Sequence, residues 1–185
     1  MLDEMLSELK VSIGKAHDAL KRDLAKVRTG RAHAGLLDGI RVDYYGTLTP
    51  IAQMATVNVP EARLITVKVW DKSSVKAVDK AIRDSDLGFN PLVDGELIRI
   101  PIPPLTEERR KEMVKVARRH GEECKVAIRK ARHEALDLAA TVEADGDASA
   151  DQVDRARKKA EEQVTEGIKT VDTIIANKEK DILEV

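Results

Sequence analysis

Apolar side chains recur at helical spacing near both ends of the chain. In residues 2–28, 113–142 and 153–174 they return every three or four positions. That spacing places them on one face of an α-helix. The pattern therefore predicts three long amphipathic helices, which can bury their apolar faces against one another in a bundle.

The middle of the chain has a two-residue period instead. Alternating apolar and polar positions predict strands at 40–45, 55–59, 64–70 and 97–102. A short helical repeat through residues 75–82 lies between the third and fourth of these strands. Together they indicate a compact α+β unit.

Proline separates the same regions. All six prolines lie in the middle of the chain, and the long flanks contain none. Because proline removes a backbone donor and clashes inside a helix, its absence permits long helices in the flanks. We therefore assign residues 1–30 and 105–185 to a discontinuous three-helix bundle and residues 31–104 to an inserted domain.

The chain passes between the two predicted domains twice. Thr29 and Gly30 lie in the outgoing link, and Pro103, Pro104 and Leu105 lie in the return link. A glycine supplies a permissive backbone and the prolines supply a stiff return, a combination that suits a paired hinge. The alternative is an ordinary packed domain junction.

Composition narrows the classes of function. The 185 residues carry 32 Lys and Arg against 33 Asp and Glu, and only 2% are aromatic. So few aromatic residues disfavour a stacking platform for single-stranded nucleic acid. A single cysteine, Cys124, excludes an internal disulfide framework and a multi-cysteine metal site. No segment approaches the roughly 18 consecutive apolar residues of a membrane span, so we expect a cytoplasmic protein that does not contact membranes.

Positive charge concentrates on the second predicted helix. Residues 117–133 contain six Lys or Arg against two Glu. A series of charged residues there steps by four and three, which places its members on one helix face. We call this series the basic ridge: Lys111, Lys115, Arg118, Glu122, Lys125, Arg129 and Arg132.

The basic ridge is suited to following a phosphate backbone, because arginine forks pair with phosphate oxygens. The alternative is a solvated helix face with local Glu–Lys pairs. Zinc-finger and RRM signatures are missing from the sequence, which argues against sequence-specific DNA binding. Structured RNA, which is recognised by shape and backbone, remains open.

Catalytic signatures are also missing from the sequence. It has no phosphate-binding loop, dinucleotide fingerprint, nucleophile elbow or zinc-protease motif. The four histidines do not combine with Cys124 at a metal-site spacing, and Cys124 falls on an apolar stripe, as a buried thiol would. We predict a binding factor with no catalytic residue, metal or cofactor. A protein-binding adaptor and an unrecognised hydrolase are the alternatives.

Five segments resemble the bacterial ribosome recycling factor family. They read KVRTGRA at 26–32, DYYGTLTP at 43–50, SDLGFNP at 85–91, IPIPPLTEERRK at 100–111 and KEKDILEV at 178–185. The resemblance covers the whole chain in order. It implies an elongated, L-shaped α+β molecule in which a hinge joins a three-helix bundle to an inserted β/α/β sandwich.

The same resemblance implies a function in protein synthesis. Family members bind the large ribosomal subunit, with its 23S-type rRNA, in post-termination complexes. With elongation factor G and GTP they split the ribosome into subunits and release it from mRNA. The sandwich domain is implied to face the GTPase. A monomer without enzymatic activity of its own is expected.

The resemblance also implies site residues. The RNA-contacting positions of the family map onto Arg28 and Arg31, at the hinge end of the first helix, and onto Arg129 and Arg132 on the second. Arg118 and Lys125 extend the predicted rRNA contact along the basic ridge. The family hinge maps onto Thr29, Gly30 and residues 103–105. His133 departs from the family pattern, since many relatives are expected to carry arginine there.

Overall fold

The chain folds into two compact units. The computed structural model describes residues 1–184, and each unit has its own apolar core. Residues Met1–Val27 and Lys111–Glu184 form the helical unit, and residues Arg28–Arg110 form the sheet unit. The chain therefore passes between the units a few residues away from the boundaries predicted from the sequence. Both link segments belong to the sheet unit.

Four α-helices provide most of the secondary structure of residues 1–184. They are α1 (Leu2–Ala25), α2 (Val75–Asp84), α3 (Glu107–Ala144) and α4 (Ala150–Leu183). The three long helices and the short helix of the sheet unit are those that the sequence predicts. No helix in this part of the chain has the length and apolar character that a membrane span requires.

The first helix ends three residues earlier than predicted. The backbone N–H groups of Lys26 and Val27 donate to the carbonyls of Asp23 and Leu24, three residues back, so the last turn tightens at Ala25. Val27 is buried, which extends the apolar stripe past the end of the helix. The prediction that α1 reaches residue 28 is therefore wrong. The apolar stripe includes Val27, which is buried although it lies beyond the last residue of the α-helix.

A capping box starts α4. The Ser149 hydroxyl accepts from the Gln152 N–H at 3.2 Å, and the Gln152 side chain accepts from the Ser149 N–H at 2.9 Å. Gly146, at φ 75°, turns the chain between the two long helices. The break between the second and third apolar stripes, at residues 143–149, predicts a turn, and the structure confirms it, although the first two of these residues, Glu143 and Ala144, still belong to α3.

The sheet unit contains two antiparallel sheets. Its strands are β1 (Arg41–Tyr44), β2 (Thr47–Pro50), β3 (Ala55–Glu61), β4 (Leu64–Val69), β5 (Leu92–Asp94) and β6 (Leu97–Pro101). β1 pairs with β2, and the other four lie in the order β3-β4-β6-β5. β6 lies inside its sheet, and Pro101 is its last residue, in agreement with a proline at a strand end.

Two strands were missed by the alternation of apolar and polar residues. All three residues of β5 are exposed, and β2 has no fully buried residue. Neither strand therefore needs an apolar face. The signal for β2 lies instead in its turn, where Tyr45 at φ 49° and Gly46 at φ 82° form the tight connection of a hairpin.

α2 contributes to the core of the sheet unit. Val78 and Ile82 on α2 are completely buried, in one cluster with Ile65, Val67 and Ile98 of the sheet. This burial follows from the helical spacing on α2 and the two-residue spacing on β4.

At the start of the helical segment the Asp71 carboxylate accepts a hydrogen bond from the Ser73 N–H at 3.0 Å. The hydrogen bonds from Ser73 lower the pKa of the Asp71 carboxyl.

Gly121 allows α3 and α4 to approach closely. A Cβ atom at this buried position would lie 2.7 Å from Cγ1 of Ile175. The close contact explains why α3 accommodates a glycine, which costs about 1 kcal/mol in a helix interior relative to alanine. Gly14, in α1, has no neighbour within 4 Å of the corresponding position among the described residues.

This difference gives a matched pair of substitutions. We expect Gly121→Ala to lower the free energy of unfolding by about 1–2 kcal/mol, because the branched Ile175 side chain must move. Gly14→Ala, which gains the same helix propensity without the overlap, should raise it by about 0.5–1 kcal/mol. Urea unfolding followed by circular dichroism measures both. Equal changes in the two variants would show that the close approach is unimportant.

Candidate nucleic-acid interface

Half of the cations in the basic ridge contact α4. Each of three ridge side chains pairs with one acidic residue of that helix, at N···O distances between 2.5 and 2.7 Å. The pairs are Arg118 with Glu179, Lys125 with Asp172, and Arg132 with Glu161. This part of the ridge therefore lies along the seam between α3 and α4.

These contacts favour the charged form of each arginine. The hydrogen bond to Glu179 raises the pKa of Arg118, and the hydrogen bond to Glu161 does the same to the pKa of Arg132. The arginine side chains are 65% and 42% exposed. Since a guanidinium has five N–H donors, each can bond a further anion from solvent while it keeps its carboxylate. Exposed pairs of this kind contribute at most about 1 kcal/mol.

Arg129 differs from its neighbours on the ridge. It is exposed and lies one turn from both Lys125 and Arg132, yet it has no carboxylate partner among residues 1–184. Lys115 and Lys130 are likewise exposed and unpaired within the described chain. The unpaired charge of α3 is therefore greatest at Arg129 and Lys130, which adjoin in sequence.

The partners of the ridge on α4 were not predicted from the sequence. The predicted alternatives were a phosphate-binding face and local Glu–Lys pairs, but of the three paired cations only Lys125 has a local partner, Glu122 at 3.6 Å. The signal was present in the acidic excess of residues 145–185, which hold eleven acids against seven bases. Asp172 lies 11 residues after Glu161 and 7 residues before Glu179. Both spacings are close to a whole number of helical turns, so the three acids share one face of α4.

Arg28 and Arg31 follow α1 rather than end it. Both belong to the sheet unit, whereas the four ridge candidates Arg118, Lys125, Arg129 and Arg132 belong to the helical unit. The Arg28 guanidinium lies 6.0 Å from the centre of the Phe89 ring, at the limit of a cation–π contact. Arg31 is exposed, and its backbone N–H donates to the Thr29 hydroxyl at 3.3 Å.

Both links are held to one turn of the sheet unit. In the outgoing link the Ala32 N–H donates to the Ala62 carbonyl at 2.6 Å. In the return link the Ile102 N–H donates to the adjacent Arg63 carbonyl at 2.8 Å. Ala62 and Arg63 connect β3 to β4. The predicted hinge residues therefore lie between these two bonds and the ends of α1 and α3, where the backbone belongs to no helix or strand.

Within these links Gly30 has a special backbone. Its φ of 80° lies in the left-handed region, which residues other than glycine rarely adopt. Thr29 precedes it, and Pro103, Pro104 and Leu105 precede the first turn of α3. The glycine therefore allows a backbone turn in the outgoing link that other residues would strain.

Cys124 is a packing residue. Its side chain is buried, its thiol donates to the Ala16 carbonyl at 3.4 Å, and burial raises the pKa of the thiol. A thiol with a raised pKa is not a thiolate nucleophile at neutral pH. The prediction of a buried structural cysteine is confirmed.

The fold and the candidate site define a class of protein. It is a mixed helix and sheet protein with two compact units, in which a long helical hairpin carries exposed, unpaired cations on one of its helices. This arrangement is typical of a protein that binds a polyanion along a helix.

Comparison with known proteins identifies the family of this chain. A family model described as ribosome recycling factor matches residues 20–183. A ribosome-recycling factor from Sorangium cellulosum (strain So ce56) is 64% identical over the full length of both chains. One from Myxococcus xanthus (strain DK1622) is 47% identical, again over the full length of both.

Two solved structures are also similar. A solution structure of a ribosome recycling factor has a TM-score of 0.75 and 38% identity, covering 100% of this chain and 98% of the other. The second is described as T. thermophilus ribosome recycling factor with E. coli elongation factor G bound to the E. coli post-termination complex. It has a TM-score of 0.66 and 42% identity, covering 99% of each chain. The chain belongs to the ribosome recycling factor family and is a translation factor.

Proposed function

We propose that this translation factor binds the large ribosomal subunit of post-termination complexes and, with elongation factor G and GTP, splits the ribosome into subunits. The ribosome is thereby freed from mRNA for another round of translation. The observation that carries the proposal is the full-length similarity to the T. thermophilus factor, whose structure is described with elongation factor G on a post-termination complex.

The unpaired part of α3 supplies the proposed rRNA contact. Arg129 has no carboxylate partner among residues 1–184, so its guanidinium can bind a phosphate without breaking an ion pair inside the protein. Arg132, one turn further on, bonds RNA with the donors that Glu161 leaves free. Arg118 and Lys125 extend the contact toward the start of α3 and share their charge with Glu179 and Asp172.

Arg28 and Arg31 supply a second proposed rRNA contact, beside the outgoing link. The guanidinium of Arg28 lies over the Phe89 ring, 6.0 Å from its centre, and both residues belong to the sheet unit. The remaining surface of the sheet unit, in residues 31–104, faces elongation factor G in this proposal.

The division into two units provides the proposed mechanism. A helical unit held on RNA by its charges acts as an anchor. Elongation factor G moves the sheet unit, and the residues around Gly30 and Pro103–Pro104 set how much of that movement reaches the anchor. The energy comes from GTP hydrolysis by the partner, and this chain supplies binding and geometry as a cytoplasmic monomer.

Light scattering tests the proposed function directly. Post-termination complexes are mixed with elongation factor G and GTP, with and without this protein. We expect the fall in scattering that marks subunit splitting only when all components are present. Binding to the large subunit without splitting in the presence of a matched elongation factor G would contradict the proposal, as would an absence of binding.

The pair between Arg132 and Glu161 makes the RNA contact testable. Glu161→Gln releases Arg132, so we expect large-subunit affinity to rise by up to about fivefold at low salt, the equivalent of one exposed ion pair. Glu162→Gln changes net charge equally at a neighbouring exposed position and should alter affinity by less than about twofold. Filter binding at several salt concentrations measures both variants.

A double variant supplies the control for this experiment. Adding Arg132→Ala to Glu161→Gln should remove the gain and reduce the slope of affinity against salt by about one unit. An equal gain in Glu161→Gln and Glu162→Gln, or a gain that persists without Arg132, would contradict a role for Arg132 in the RNA contact.

The hinge has a matched control in a second glycine with a left-handed backbone. Gly30→Val should slow splitting by a larger factor than it weakens large-subunit binding, because a β-branched residue disfavours φ near 80° and shifts the link while the cations of α3 keep their positions. Gly146→Val introduces similar strain at φ 75° in the turn before α4, far in sequence from the links. It should lower stability without slowing splitting. Normal splitting by Gly30→Val would refute the hinge.

A further inference from the structure

Three potential metal ligands meet where α1 packs on α3, away from the paired ridge residues. They are Asp23 near the end of α1, and His120 and Glu123 on α3. One oxygen or nitrogen from each lies within 4.8 Å of the others. Nδ1 of His120 lies 3.7 Å from an Asp23 carboxylate oxygen and 3.5 Å from Oε2 of Glu123.

The His120 nitrogen is unusual in its surroundings. Nδ1 is inaccessible to solvent and has no hydrogen-bond partner among the described residues, since both carboxylates stand at or beyond hydrogen-bond distance. Most buried polar atoms in proteins are bonded, and one left unbonded costs about 1–3 kcal/mol. An ion between the three groups would satisfy Nδ1 and both carboxylates together.

We propose that Asp23, His120 and Glu123 bind one divalent transition-metal ion, with Zn²⁺ as the preferred ion. Zinc bonds of about 2.0–2.2 Å in a tetrahedral arrangement place neighbouring ligand atoms about 3.3–3.5 Å apart. The two separations from Nδ1, 3.5 and 3.7 Å, are within a few tenths of an ångström of that spacing. The Asp23 and Glu123 oxygens lie within 4.8 Å of each other, so the two carboxylates must rotate toward one another to complete the site.

Charge and ligand type favour the same ion. Two carboxylates and a neutral imidazole balance the two charges of the metal. An imidazole ligand selects zinc and its transition-metal neighbours over Ca²⁺ and Mg²⁺, which prefer oxygen ligands. Arg119 approaches Glu123 through the other carboxylate oxygen, Oε1, at 4.0 Å, and so leaves Oε2 for the ion. Three protein ligands leave a fourth position for water.

The site would hold the end of α1 against the middle of α3. Asp23 lies two residues before the last residue of α1, close in sequence to the outgoing link. A metal bridge there would stiffen the part of the helical unit from which the chain leaves for the sheet unit. Sequence spacing could not indicate the site, because Asp23 lies 97 positions before His120.

Metal binding to the full chain tests the proposal. Chelator-treated protein is titrated with Zn²⁺ by calorimetry and, separately, with Co²⁺, whose visible absorption reports tetrahedral coordination. We expect one site per chain, tetrahedral Co²⁺ bands and a higher melting temperature with Zn²⁺ than with Mg²⁺. Loss of a group that supports a ligand weakens metal binding about 10–100-fold, so His120→Asn, which removes a ligand, should weaken it at least as much.

A second histidine on the same helix provides the control. His133 lies 3.3 Å from Asp137, a pair with one carboxylate instead of two, so His133→Asn should leave Zn²⁺ affinity unchanged. Asp23→Asn is a second test variant, and circular dichroism verifies that each variant is folded. Equal Zn²⁺ affinity in His120→Asn and the parent chain would overturn the proposal. So would an unchanged melting temperature of the parent chain on addition of Zn²⁺.

Discussion

The register between α3 and α4 determines which positive charges this protein can offer to a partner. Gly121 allows the two helices to approach until its backbone contacts Ile175, which leaves little freedom to slide one along the other. At that register Arg118 and Arg132 meet carboxylates and Arg129 does not. A change in packing at one buried glycine would therefore alter the pattern of free charge over the whole ridge.

A second constraint acts in the sheet unit. The outgoing and return links are each held by one backbone hydrogen bond to the turn at Ala62 and Arg63. Because the two acceptors are neighbours in sequence, the links cannot separate on the sheet side without breaking a bond. Any bending is thereby confined to the few residues between these bonds and the long helices, where Gly30 and the adjacent prolines lie.

Periodicity predicts an element well where the element has one buried face. The three long helices and strands β4 and β6 each have such a face, and the sequence placed all of them. It also placed β1 and β3, each of which has a single buried residue, Val42 and Ala55. It missed β2 and β5, whose side chains are largely exposed, and it extended α1 because Val27 is buried beyond the last helical hydrogen bond. At the candidate site it found the cations but not their partners, because contacts between α3 and α4 depend on the tertiary register.

These pairs have a consequence for how tightly such a helix can hold RNA. Each phosphate that a cation neutralises strengthens binding and its salt dependence, so a fully unpaired ridge would bind any polyanion strongly. Where Glu161 or Glu179 already occupies part of a guanidinium, phosphate adds to or exchanges with an existing bond, and the net gain per contact is small. On the proposed function this is an advantage, because a factor that must leave the ribosome in every cycle needs contacts that exchange with internal partners.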